Sequence, residues 1–353
     1  MAFIRRAADL AALSLSVSGL LSFAGAQTPA ASPSAAAPIA APPIAAAPIA
    51  YVPTSLVAEP GLPRTRVGHI DFSDGAWTSN FFPVFEATPL AATLVISPAQ
   101  AKKMIDMMLK GLFASNDPDL KIDPEIPVVL GGVDGLPMVR GEFRSRLVVL
   151  PSDGKLPWTQ EGKAESKTGR KSTAPANDPE GRPSGERCTA LLGLAPISAA
   201  PMLDPLQIIE APGYVVIHTE FGDEARVIPL SEHHGDPALA PRLGDSIARW
   251  EGDTLVIETI GSPGVDQVRD GPMTLVVNPS ATVIERLTRL SRDELLYQFT
   301  VVDPKTYSAP WLAEYSLRRT DKPLFPYSCH EGNYSLPNIL KAQRMADRAQ
   351  AAK

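Results

Sequence analysis

The chain has 353 residues, a net charge of −6 at pH 7, 20% charged and 6% aromatic side chains. The charge is spread along the chain with no run of Lys and Arg, which argues against a nucleic-acid partner, because phosphates call for clustered cations. A quarter of the abundant proline falls in one N-terminal tract, and the remainder has the length of one large or two modest domains.

Residues 1–26 read as a secretory signal peptide. Arg5 and Arg6 form a basic start, Leu10 to Phe23 an apolar core, and Ala24-Gly25-Ala26 a small-residue cleavage site before Gln27. The arginine pair also fits twin-arginine export. The apolar run is short of the roughly 20 residues that cross a bilayer. The mature chain is therefore expected to be periplasmic or secreted, with no transmembrane segment. Residues 27–63 are mostly Ala and Pro with near-repeats of Ala-Pro-Ile-Ala, a tract that buries no face and should serve as an extended spacer. Residues 64–353 then form a single β-rich domain.

Within it, Asp71-Phe-Ser-Asp-Gly-Ala-Trp77 is turn-rich and offers Trp77 to a core edge. Ser97-Pro98-Ala99-Gln100 supplies an N-cap, a proline at the first helical position and a Gln three residues after the cap. The helix it starts carries Met104, Ile105, Met108, Leu109 and Leu112 on one stripe, the pattern of a face docked on a sheet. Met138 to Leu150 is extended and ends at the turn Pro151-Ser-Asp-Gly154. Residues 159–187 are polar and predict a mobile surface loop.

Leu206–Glu210 and Tyr214–Glu220 flank Ala211-Pro212-Gly213, a hairpin pattern, and Ala225–Leu230 adds a strand. Asp245 to Thr259 is a second hairpin around Glu251-Gly252-Asp253. A third joins Thr282–Leu290 to a run in which Leu295, Tyr297, Phe299 and Val301 alternate with Leu296, Gln298, Thr300 and Val302. Ser335-Leu-Pro337 starts a last helix. The fold class is mainly β: an antiparallel meander closed as a calycin-like barrel, or folded as a sandwich, with flanking N- and C-terminal helices. The two cysteines, Cys188 and Cys329, predict one disulfide in an oxidising compartment.

These motifs resemble a family of exported bacterial proteins of uncharacterised function. The resemblance rests on Gly141-Glu-Phe-Arg-Ser-Arg146 through Pro157, Glu186-Arg187-Cys188, Tyr214 to Glu220 with Ala225 to Leu230, Gly244-Asp-Ser-x3-Trp-Glu-Gly-Asp-Thr-Leu255, Ile284-Glu-Arg286, Asp303-Pro304, Pro310-Trp311 and Cys329-His-Glu-Gly-Asn-Tyr334. It implies no activity. The chain departs from the family pattern at Asp223, where a His is usual, and at Glu232-His233-His234-Gly235, where a Gly-Arg-Pro-His run is usual.

Four residues are candidates for acid–base chemistry. His330 and Glu331 adjoin Cys329, and His218 and Glu220 lie at i and i+2 on one strand, where they face either a cavity or solvent. Trp250, Tyr297, Phe299 and Trp311 are candidates to line a ligand site. His233 and His234 with Glu232 or His218 have metal-ligand chemistry but no diagnostic spacing, so neither a metal nor an organic cofactor is expected. The functional expectation is an exported barrel that binds a small, largely apolar molecule. The alternatives are a cofactor-independent lyase, isomerase or hydrolase, and an envelope structural or interaction protein.

Overall fold

The computed structural model describes residues 58–112, 135–168, 178–197, 205–267 and 275–352, apart from 80, 82–83, 91, 183–184, 190–192, 237–238, 240 and 264. The signal peptide and most of the spacer lie outside the described residues. Near the N-terminal end, β1 (Ala76–Thr78) is followed by β2 (Val95–Ile96) and α1 (Pro98–Leu112). The capping chemistry forms as a reciprocal pair: the Ser97 hydroxyl accepts from the Gln100 amide (3.3 Å), and Gln100 Oε1 accepts from the Ser97 amide (3.0 Å). Ala101, Met104 and Ile105 of this helix pack on Ile96, Leu136 and Phe143. Phe143 belongs to β4 (Glu142–Arg144), the centre of a small sheet with β2 and β3 (Met138–Val139).

The large sheet has ten strands. Its members are β1, β5 (Val148–Leu150), β6 (Leu206–Ala211), β7 (Tyr214–Thr219), β8 (Glu224–Pro229), β9 (Asp245–Glu251), β10 (Thr254–Ile260), β13 (Thr282–Arg289), β14 (Glu294–Val302) and β15 (Trp311–Thr320). The separate hairpin is β11 (Val265–Gln267) with β12 (Leu275–Val277). Two helices complete the order: α2 (Gln160–Thr168), which occupies the first part of the expected surface loop, and the C-terminal α3 (Ser335–Ala351), of which only Leu340 is buried. Residues 169–177 of that loop lie outside the described residues.

Nine strands run in series as β8-β7-β6-β1-β15-β14-β13-β10-β9, every neighbour antiparallel, while β5 pairs with β15 beside this path. Alternation puts Leu295, Tyr297, Phe299 and Val301 of β14 and Trp311, Ala313, Tyr315 and Leu317 of β15 into one core, which Trp77 of β1 joins. The closed barrel does not form, and an open meander compatible with the sandwich alternative stands in its place. Eight antiparallel steps leave the two edge strands, β8 and β9, running parallel. The two edges meet at a single parallel bridge between Leu230 and Ala248, with a hydrogen bond from Ser231 N to Ala248 O (3.1 Å).

The Gly141–Pro157 motif has a structural explanation. Arg146, 3% exposed, donates to the carbonyls of Ala92, Val148 and Ser152, so the Pro151–Gly154 turn is wrapped around one guanidinium. A Cβ on Gly154 would fall 2.0 Å from Arg146 Nε, and its backbone is left-handed at φ +69°. Among the described residues no helix is long and apolar enough to cross a membrane.

Candidate functional site

The two cysteines form the expected disulfide, with Cα atoms 5.8 Å apart and a sequence separation of 141. The bond joins the segment around Cys188 to the C-terminal segment that follows β15. Asn333 Nδ2 reinforces the join by donating to Glu186 O at 2.7 Å. A cleft of about 540 Å3 opens beside the disulfide, bounded by Asp223, Glu224, Arg242, Tyr327, His330 and Glu331.

The β7–β8 turn makes one wall. Gly222 (φ +92°) and Asp223 (φ +49°) both have left-handed backbones, a conformation Gly and Asp tolerate. This geometry brings Asp223 Oδ1 back to 2.8 Å from His218 Nε2, with the two side chains 32% and 55% exposed. Glu220 Oε2 accepts from the Phe325 amide (2.6 Å), and the rings of Phe221 and Tyr327 approach to 4.7 Å between centroids, so the turn carries the C-terminal segment. Deeper in, Glu224 is 4% exposed; it accepts from Gly193 N (2.9 Å) and from Arg242 Nη2 (3.1 Å). His330 and Glu331 are exposed on the opposite wall.

Of the four candidate acid–base residues, His330 and Glu331 border the cleft and His218 and Glu220 do not, so they form no ready pairs. His218 points outward from β7, because Val215, Ile217 and Thr219 take the inward positions. Its partner is Asp223, and Glu220 is engaged with backbone.

The aromatic candidates lie elsewhere. Tyr297, Phe299 and Trp311 are 0–1% exposed, so they border no void wide enough for water. They contact one another instead, with centroids 5.6 Å apart for Tyr297–Phe299 and for Phe299–Trp311. Trp250 stacks on His69 (4.4 Å) near the far end of β9. None of the four borders the cleft. Among the described residues no three His, Cys, Asp or Glu side chains converge as a metal site.

The sequence reading missed a charged group inside the sheet. Arg226 of β8, 3% exposed, reaches Glu285 of β13, 0% exposed, with Nη2 donating to Oε1 at 3.0 Å. The Tyr297 hydroxyl donates to the same Oε1 (2.7 Å) and accepts from the Ile197 amide (2.8 Å), while the Tyr315 hydroxyl donates to the Ile197 carbonyl (2.8 Å). Burial, then the Glu285 charge, pushes the Tyr297 phenol well above its usual range. The only signal in the sequence was alternation, which set Arg226 in register with the apolar Ile228 and Glu285 with Val283 and Leu287.

Comparison of the chain with protein-family models, with curated proteins and with solved structures finds no match in any of the three.

Proposed function

We infer that the protein is an exported, periplasmic or secreted, binding protein that takes a small molecule into the disulfide-walled cleft. The observation that carries this reading is convergence: three separate segments, around Cys188, Gly222–Glu224 and Pro326–Glu331, line one cleft of about 540 Å3, and a covalent bond joins the first to the third. The disulfide also suits the oxidising compartment that the leader-like N-terminus leads to. The wall chemistry, Arg242 and His330 beside Asp223 and Glu331, favours a small polar ligand with donors and acceptors over the largely apolar one expected from the barrel reading.

Native mass spectrometry of protein purified from the cell envelope, before and after mild denaturation, tests this. The expected result is a bound small molecule from the wild type that is lost from Arg242→Ala. A bare chain in both, together with no change in Arg242 or Tyr327 environment across a metabolite extract, would sink the reading.

A second reading has one specific observation behind it. The 2.8 Å contact between His218 and Asp223 is the geometry of a carboxylate-oriented general base, which supports a cofactor-independent lyase, isomerase or hydrolase. It predicts that a compound released from the cleft is turned over, and that His218→Gln abolishes turnover by orders of magnitude while binding survives.

A further inference from the structure

The parallel seam between β8 and β9 is short of hydrogen bonds, yet something must hold it. The segment that follows β8, described over residues 231–236, is fastened at His234. Its imidazole, 18% exposed, lies between two carboxylates: Nδ1 is 3.2 Å from Asp245 Oδ2 on β9, and Nε2 is 3.3 Å from Glu258 Oε1 on β10. Gly235 N donates to the same Asp245 oxygen at 2.9 Å. The other charged groups nearby are Arg249 of β9, whose charge reaches Glu258, and Glu232, His233 and Asp236 on the segment itself, all exposed.

Nε2 is hydrogen-bonded to Glu258, whereas Nδ1 makes an ion-pair contact with Asp245 outside hydrogen-bond geometry, so only the charged ring is attracted to both carboxylates. The two nitrogens face different carboxylates and so share no point at which a single metal ion could sit, which makes the ring itself the cation of this cluster. We propose that His234 is a pH-sensitive latch: protonated, it fastens the segment after β8 to β9 and β10 and holds the single Leu230–Ala248 bridge; deprotonated, it releases that segment and the bridge opens.

The surroundings agree in sign. The hydrogen bond to Glu258 is the largest influence on the His234 imidazole and, with the Asp245 charge, raises it above its ordinary value despite burial, while the same bond holds Glu258 below the usual carboxylate range. A raised histidine contributes its stabilisation below its unfolded value and loses it as pH rises through the folded one. The latch is therefore closed in mildly acidic solution and opens on the alkaline side. The strands at the bridge carry the buried Ile228 and Ala248, and Ile257 pairs with Ala248 from β10.

The Ser231 amide, bonded to Ala248 O across the seam, is a direct reporter. Its hydrogen-exchange protection, corrected for intrinsic rate, is measured at about pH 5.5 and about pH 8.5, either side of the usual histidine range. Protection in the wild type is expected to fall about tenfold, a factor typical of one charge-assisted hydrogen bond, and to stay at the lower level at both pH values in His234→Gln. Glu258→Gln should move the transition to lower pH. Equal wild-type protection at both pH values, or a wild-type transition retained in His234→Gln, overturns the latch. Should His234→Gln not fold, ring-nitrogen shifts of the wild type decide: both nitrogens protonated at about pH 6.5 supports it, and a neutral ring there overturns it.

Discussion

Arg226 Nη1 and Glu285 Oε2 lie 2.7 Å apart across the inside of the sheet, linking β8 to β13 with side chains 2% and 0% exposed. Desolvation works against the guanidinium's charge, and the Glu285 carboxylate with its hydrogen bond outweighs it, so the arginine stays protonated. Removing one partner leaves an uncompensated buried charge. Arg226→Met or Glu285→Leu alone should therefore cost about 3–5 kcal/mol, whereas the two together should cost far less. Urea denaturation of the three variants checks this; a double variant as unstable as the sum of the singles would contradict it.

Ile197 is held by side chains where a strand neighbour would otherwise serve: its amide donates to Tyr297 and its carbonyl accepts from Tyr315. Each tyrosine-to-phenylalanine change should cost about 1 kcal/mol. The two are separable by exchange at one amide. Tyr297→Phe should speed exchange at the Ile197 N–H, and Tyr315→Phe should leave it nearly unchanged, because that hydroxyl bonds the carbonyl.

The disulfide closes a loop of 141 residues that holds β6 to β15. Chain-entropy scaling gives about 5 kcal/mol for a closure of this length. Cys188→Ser with Cys329→Ser should lower the denaturant midpoint accordingly. It should also free the Asn333–Glu186 contact and loosen the cleft, seen as faster proteolysis after Thr320. The wild type under reducing conditions should behave the same way.

The hairpins β6–β7, β9–β10 and β13–β14 were legible because each couples alternation to a short turn with its own chemistry, such as Gly252 at φ +61°. The capped helix at Ser97 was legible for the same local reason. What was not legible is pairing at long range. β1 sits between β6 and β15, and β15 is the centre of the sheet, yet its Glu314, Ser316 and Arg318 dilute the apolar signal. Those polar positions are covered by partners distant in sequence: Gln298 donates to Glu314, Ser316 donates to Glu294, and Arg318 pairs with Glu294. Barrel closure was not legible because strands joined by short turns specify their neighbours in sequence and not whether the two edges of the sheet pair. At the site, His330 and Glu331 stood out beside Cys329. The His218–Asp223 pair did not, because it depends on two left-handed residues in the turn. The aromatics looked like a ligand wall, and alternation alone cannot distinguish a wall from a filled core.

Stability should fall in acid, and the responsible groups can be named. Glu258 is held below the usual carboxylate range first by its hydrogen bond from His234, against some burial. At Glu251 burial opposes ionisation, but hydrogen bonds and charge from Arg286 and then Arg249 outweigh it, and its carboxyl is also lowered. A depressed carboxyl contributes stability that is present above its unfolded value, near 4.5, and lost as pH falls through the folded one. Glu314 has the opposite sign. Burial raises it, although Gln298 and Arg144 pull the other way, so its contribution is present at low pH and lost as pH rises through its folded value. The acid limb of urea midpoints measured from about pH 3 to about pH 6 should thus flatten in Glu258→Gln and steepen in Glu314→Gln. Unchanged slopes in both would show that these carboxylates do not set the acid limit.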